Sequence, residues 1–442
     1  MNRIILIGNG FDKAHGLPTG YEDFVKDYWV RWIDDLASCS DRKKSDKLCT
    51  FTSIEPSWSW SYIINSYRNH TKDRQKILEY INTSRDELSI VQSMFFSSIN
   101  KSLSERNWVD IENEYYRFLT AILDGKYRAE YPTVEVLNEQ LNSLKIKLIS
   151  YLRDISDNQI KDSIINPSIL QKIYKPFRVG EIAVSGGYKF REFLRHRWNE
   201  ELKELERYKN SYLDISKYIT TTNSQDIQEY FDLILSSSKK KHRKAEDEHI
   251  YRIFHRKRDF AYNNVQDFLL LPERILILTF NYTKTAELYI INQHPGIDVN
   301  HIHGELTNPD SIIFGYGDDT DDDYVRIEKL NDNAYMNNIK AFNYLGSVNY
   351  RHMLEFIESA PYQIYIMGHS CGTSDRTLLN TLFEHDNCIS IKPYFYQKSQ
   401  TEDNYLELVQ NISRNFKSRP KMRDRVVNKT FCEPLIKLEP EI

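Results

Sequence analysis

Apolar and polar positions follow two different periods along this chain, and the change falls near residue 272. From about Tyr21 to Leu271 the sequence is polar, charged and poor in glycine, and its apolar residues return every three or four positions. The segments 108–123, 134–152, 190–208 and 227–235 read as helices on this pattern; in the third, Phe190, Phe193, Leu194 and Trp198 share one face. Pro56, Pro132, Pro167, Pro176 and the pair Gly186-Gly187 punctuate them. From Glu273 onward short apolar runs alternate with helical segments. Strands are predicted at 274–280, 298–302, 311–314, 363–367 and 388–395, and helices at 283–292, 337–358, 375–384 and 402–416. Such alternation implies an α/β fold, a parallel sheet covered by helices on both faces.

The chain opens on one more run of this kind, Arg3-Ile4-Ile5-Leu6-Ile7, which needs the same sheet because alone it buries neither of its faces. The expected organisation is therefore a discontinuous α/β domain, residues 1–30 plus 272–442, with a large all-α insertion, residues 31–271, after the first strand. A strand so near residue 1 leaves no room for a signal peptide before it. No internal repeat and no low-complexity tract is found.

Composition narrows the function classes. The 442 residues carry a net charge of −4, so no global basic field draws the protein onto nucleic acid or an anionic membrane. The basic run Lys239–Lys244 reads as a solvated helix end or loop. The longest apolar stretches, such as 275–280, are strand-sized and too short to span a membrane. Cysteines 39, 49, 371, 388 and 432 form no C-x-x-C pair; they read as reduced intracellular thiols, with no zinc site and no metal expected, which fits a cytoplasmic protein. The 30 tyrosines and six tryptophans suit half-buried faces and interfaces without naming a partner.

Ligands of open α/β sheets bind beyond the carboxyl ends of the strands. There the chain places Gly8-Asn9-Gly10-Phe11-Asp12, Asn281-Tyr282-Thr283, His303-Gly304, Phe314-Gly315-Tyr316-Gly317-Asp318, and Gly368-His369-Ser370 followed by Asp375. The opening G-x-G reads as a turn in which glycine takes positive φ and lets the backbone approach a phosphate. Each motif alone has a bland reading: a tight turn, a helix-capping Asn, a hydrogen-bonded structural His. Their joint arrival at successive strand ends points to a site.

The segment from Gly8 to Pro18 resembles the sirtuin fingerprint G-A-G-I-S-x-x-x-G-I-P in spacing. Thr279-Phe280-Asn281-Tyr282 is similar to the sirtuin T-Q-N-I segment, His303-Gly304 to its catalytic His-Gly, Phe314-Gly315 to its Phe-Gly, and Gly368-His369-Ser370 to its late G-T-S. Across nearly the whole chain, G-N-G-F-D, H-G-L-P-T, T-F-N-Y-T, H-I-H-G, F-G-Y-G-D, G-H-S and Asn107-Trp108-Val109-Asp110-Ile111-Glu112 resemble the bacteriophage abortive-infection AbiH family.

The resemblance implies a sirtuin-like, Rossmann-type sheet, an NAD site and cleavage of the nicotinamide–ribose bond. It implies Gly8, Asn9, Gly10 and Phe11 around the pyrophosphate beside a helix N-terminus, with Gly304, Gly315 and Gly368 also lining the nucleotide. Asn281 is expected to hold the nicotinamide ribose or a water, His303 to act as general base, and Ser370 and Asp375 to face the adenosine half. Glu112 is expected as a site residue supplied by the insertion. Asp12 stands where sirtuins carry Ser; its charge can stabilise a cationic sugar, bind another ribose hydroxyl or exclude NAD. His15 is as readily structural as catalytic, and His301 shares the face of the preferred base His303.

NAD as substrate, or a related nucleotide, a phage-derived trigger and a further copy of the chain are the expected partners. The expected function is an antiphage effector that hydrolyses NAD on activation and arrests the infected cell. A non-catalytic nucleotide sensor is the alternative. A metal-dependent phosphoesterase ranks lower, because the opening D-x-H and the G-N-H-type cluster of such sites are missing.

Overall fold

A computed structural model describes residues 1–39, 43–52, 65, 69, 90–106, 109–210, 270–290, 296–319 and 321–438. The expected helix at 227–235, the basic run Lys239–Lys244 and Trp108 lie outside the described residues. Eight strands occur among the described residues: β1 (Asn2–Ile7), β2 (Lys43–Ser45), β3 (Cys49–Thr52), β4 (Ile90–Gln92), β5 (Ile275–Thr279), β6 (Ile297–His301), β7 (Tyr362–Met367) and β8 (Cys388–Tyr394).

Five of them form one parallel sheet in the order β6-β5-β1-β7-β8. β1 lies at its centre, with Ile5 opposite Ile277 on one side and Tyr365 on the other. The chain builds outward from β1 through β5 to β6, then returns across β1 to lay down β7 and β8. The strand order therefore reverses between β1 and β7, where a crevice opens at the carboxyl edge of such sheets. A short helix, α1 (Asn9–Ala14), leaves β1 at that edge.

Strand alternation sends successive side chains of β1 into different cores. Ile4 and Leu6 join Leu276, Leu278, Ile364 and Ile366 on one face, whereas Ile5 and Ile7 join Ile275, Ile277, Tyr365 and Met367 on the other. This explains why the strands read as unbroken apolar runs: both faces are covered.

A separate core holds a helical layer built from α2 (Tyr21–Ser38), α3 (Met94–Arg106), α4 (Ile111–Leu123) and α5 (Val134–Gln159). Trp29, fully buried there, donates its indole N–H to Asn100 Oδ1 at 3.0 Å. The layer is not all-α as expected. β2, β3 and β4 form a small antiparallel sheet, with Cys49 and Phe51 of β3 alternating inward. The chain then returns to the main sheet. Ile169 and Ile173 of α6 (Pro167–Ile173) cover one face, and Phe190 of α7 (Gly187–Asn210) packs with Phe177, Met1 and Ile389. Arg3, buried in β1, anchors this segment: its guanidinium donates to the Ile173 carbonyl at 2.9 Å and lies over the rings of Tyr365 and Phe177.

The opposite face is covered by α9 (Asn349–Ser359), α10 (Arg376–Glu384) and α11 (Tyr405–Arg414), which follow the four-residue α8 (Lys340–Asn343). Three expectations need correction here. Residues 311–314 are not a strand, because Ile312 and Phe314 turn into the helical-layer core while Ile313 enters the sheet core. The predicted helix 283–292 is a 3-10 helix, Lys284–Tyr289, whose three-residue period buries Ala286 and Tyr289 together; residues 291 and 292 are outside the described set. The predicted helix 337–358 is broken into α8, a 3-10 turn at Tyr344–Gly346 and α9. Among the described residues, no helix is long and apolar enough to cross a membrane.

The segment before α7 is locked to β8 by a fully buried ion pair, Lys392 Nζ to Glu181 Oε1 at 2.6 Å. Removing one partner strands a buried charge, whereas removing both leaves none. Glu181→Ala is expected to lower unfolding stability by about 3–5 kcal/mol, and Glu181→Leu with Lys392→Met to recover most of it. Urea denaturation of the single and double variants measures both; equal losses in the two would show that the pair's charge is not what matters.

Candidate functional site

The carboxyl ends of β1, β5 and β7 open into a cavity of about 840 Å³ whose wall includes Gly8, Asn281, His303 and Asp375. Leu148 and Leu152 of α5 and Glu112 of α4 complete it from the helical layer. The cavity thus lies between the sheet edge and the helices.

The two glycine turns that meet there interlock. Gly10 donates its N–H to the Gly368 carbonyl at 2.8 Å. A Cβ on Gly10 would lie 2.7 Å from that oxygen, and one on Gly368 would lie 2.0 Å from Phe11 N. Gly368 also has φ +77°, a conformation that disfavours any side chain. Gly8, by contrast, is extended at φ −127°, and Gly10 belongs to α1. The expected positive φ at the first G-x-G is therefore corrected: those glycines are required by the backbone of the neighbouring strand end.

Asn281 is tied to the same turn, its side-chain N–H donating to the Gly8 carbonyl at 3.1 Å. Asn9 Oδ1 accepts from the Thr19 hydroxyl at 2.6 Å. Asp12 is buried beside them; its Oδ2 accepts from Thr283 Oγ1 at 2.7 Å, and its Oδ1 has no hydrogen-bond partner. Burial pushes the Asp12 carboxyl up to about 6, against hydrogen bonds that favour its charged form.

A second polar group lies in the same cavity wall. Asp375 Oδ1 faces His303 Nε2 at 3.3 Å, and its Oδ2 faces His369 Nε2 at 3.5 Å. His369 Nδ1 accepts from the Cys371 N–H at 3.0 Å, which leaves its other nitrogen as the N–H donor toward Asp375. Behind the wall, Lys340 Nζ bonds Asp375 Oδ1 at 2.8 Å and Glu112 Oε2 at 2.9 Å. Burial and the Lys340 charge depress His303 to about 4, so its imidazole is neutral at pH 7. Lys340 draws the carboxyl of Asp375 well below its ordinary range despite burial. Glu112 goes the other way, raised by burial and by the charges of Asp375 and Asp110.

Of the residues expected from sequence, Gly8, Asn9, Gly10, Asp12, Glu112, Asn281, His303, Gly368, Ser370 and Asp375 line this cavity, Ser370 as an exposed residue. Phe11, Gly304 and Gly315 do not. Phe11 packs against His15 and Tyr289 on the sheet's other side. Gly304 makes a tight turn at φ +83° against Ser311, and Gly315 abuts Asn338 while donating its N–H to Glu112 Oε1 at 3.1 Å. His15 bonds the Phe11 carbonyl and the Tyr289 hydroxyl, a structural role, and His301 pairs with Glu287 at 2.6 Å.

Sequence reasoning missed Lys340 and Tyr344, whose hydroxyl is 3.1 Å from His303 Nε2. Both fall in a stretch read as continuous helix, and nothing local marks them. No group of three or more His, Cys, Asp or Glu side chains is arranged to hold a metal ion among the described residues.

Asp12 has a pKa raised from 3.8 to about 6 in the folded state, so its ionisation costs stability as pH rises through that window. Asp12→Asn keeps an acceptor for Thr283 and removes the charge. The variant is expected to be more stable than the parent by about 2 kcal/mol at pH 8, with the gain vanishing near pH 4. Thermal unfolding from pH 4 to pH 8 measures it; a gain independent of pH would contradict the assignment.

No curated protein and no solved structure matches the chain. A family described as bacteriophage abortive infection AbiH matches residues 4–396, a span that contains every cavity residue named above. The chain belongs to the bacteriophage abortive infection AbiH family.

Proposed function

We propose that the protein is an abortive-infection effector that, once triggered during phage infection, hydrolyses the nicotinamide–ribose bond of NAD in the cytoplasm of the infected cell. Family membership over residues 4–396 supports the defence role. The observation that carries the chemistry is one cavity wall holding a neutral buried histidine backed by a carboxylate, and beside it a carboxylate that pairs with no cation among the described residues.

In this reading the sheet is a Rossmann-type, sirtuin-like platform. Its five strands, counted along the chain, run 3-2-1-4-5, as in doubly wound dinucleotide-binding sheets. The glycosidic C–N bond breaks with its electron pair leaving on nicotinamide, and the ribose carbon becomes oxocarbenium-like. Water adds to that carbon and gives up a proton, yielding ADP-ribose. His303, held neutral, takes the proton. Asp375 is already balanced by Lys340, and Asp12, beside Asn281 and with one oxygen unpartnered, stabilises the positive sugar. Asn281, tethered to Gly8, orients the ribose or the water.

The test is NAD in cells that carry the protein, measured through phage challenge, together with nicotinamide release by protein purified from them. NAD is expected to collapse after infection. His303→Ala and Asp12→Asn are expected to slow release by at least about 100-fold, the typical contribution of a general base or an electrostatic stabiliser. Stable NAD through a successful defence would sink the proposal. Binding of NAD without turnover, with defence intact in His303→Ala, would favour the sensor.

A further inference from the structure

Lys340 is fully buried, does not line the cavity, and is the lysine bonded to both Glu112 and Asp375 of the cavity wall. Its ammonium joins parts of the chain that are far apart: Glu112 of α4, 228 residues away, and Asp375, 35 residues away. The backbone around it is pinned as well. Lys340 N–H donates to the Tyr316 carbonyl at 2.8 Å, and Tyr316 stacks on Tyr116 of α4 with ring centroids 3.8 Å apart. Four residues after Lys340, Tyr344 reaches His303 Nε2. One short segment therefore grips both members of the His303–Asp375 pair and the first turn of a helical-layer helix.

We infer that Lys340 is a positioning residue that holds Asp375 against His303 and, through Glu112, makes that pairing depend on α4 being docked on the sheet edge. It touches neither the cavity nor anything in it; it acts through the two carboxylates. A cation between two buried carboxylates satisfies both only while both are within reach. Withdrawing α4 removes Glu112 and leaves Lys340 on Asp375 alone, a change felt at His303 through a shared oxygen, Asp375 Oδ1. The helical layer thus has a direct electrostatic route to the base. This inference rests on the proposed catalytic role of His303 for its significance, although the linkage itself does not require turnover.

The groups facing His303 are Asp375, Lys340, His369 and the Tyr344 hydroxyl, with the Phe280 ring 5.0 Å away. Of these, Lys340 is the positive charge that opposes protonation, and Asp375 the negative charge that favours it. Taking Lys340 away should therefore let His303 gain a proton at higher pH.

The experiment is an NMR titration of full-length protein with isotope-labelled histidine, His303 being assigned by loss of its signal in His303→Gln. Lys340→Met alone leaves Glu112 and Asp375 without their cation and destabilises the fold, so Lys340→Met with Glu112→Gln, which removes the lysine together with one of its two partners, is measured beside it. In the folded variant the His303 midpoint is expected to rise by at least about one pH unit from its parent position. A midpoint within about 0.3 unit of the parent's, where one neighbouring charge ordinarily moves it by one unit or more, would overturn the inference and leave Lys340 as packing alone. Nicotinamide release by the same samples separates the two ideas. Where release occurs, its acid limb should move with the midpoint; absence of release from the activated parent defeats NAD hydrolysis while the titration still decides Lys340.

Discussion

The contact between Gly10 and Gly368 sets the geometry of everything at the ligand edge. At that point the first strand and its neighbour β7 end side by side, and their turns share a hydrogen bond of 2.8 Å with no room for a Cβ on either residue. With the turns this close, His369 lies against Gly8, and Asp375 follows within a few residues. Asn281, bonded to the Gly8 carbonyl, brings the end of β5 into the same constraint. A parallel sheet in which the strand order reverses has one natural crevice, and here the glycine contact is its floor.

Onto this floor the protein places an uneven set of charges. Asp375 and Glu112 share a buried lysine, and the two histidines around Asp375 are supported by it. Among the described residues Asp12 has no such counter-charge, and it keeps one oxygen unpartnered. Carboxylates in protein interiors are ordinarily satisfied, so a buried oxygen without a partner in a cavity wall stands out and weighs against stability. It is the feature on which the proposed role of Asp12 rests.

The helical layer is more than a cover. Its core is separate from the sheet cores, yet the segment after β6 enters it: Tyr316 stacks on Tyr116, Arg153 bonds the Leu306 carbonyl at 3.0 Å, and Lys145 bonds the Ile312 carbonyl at 2.6 Å. Residues 311–314 read as a strand because Ile312, Ile313 and Phe314 form a short unbroken apolar run. The run is apolar for a different reason, since Ile312 and Phe314 face the helical core and Ile313 the sheet core. Such a run reports apolar surroundings on both sides, and a chain running between two cores satisfies it without pairing in a sheet.

The sequence by itself determined the parallel sheet, because β1, β5 and β7 carry runs of consecutive apolar residues that put apolar side chains on both faces, and only a doubly covered sheet buries both. It also determined where polar and glycine-rich motifs fall, since strand ends are local features, and most of the residues singled out there line one cavity. The reason for the first glycines was beyond its reach, because their neighbour is Gly368, hundreds of residues away. So was Lys340, which in sequence is one lysine among many. Only tertiary structure decided that it would be buried between Glu112 and Asp375, for charge pairing acts through space and its strength depends on exclusion of water, and neither is written in local order.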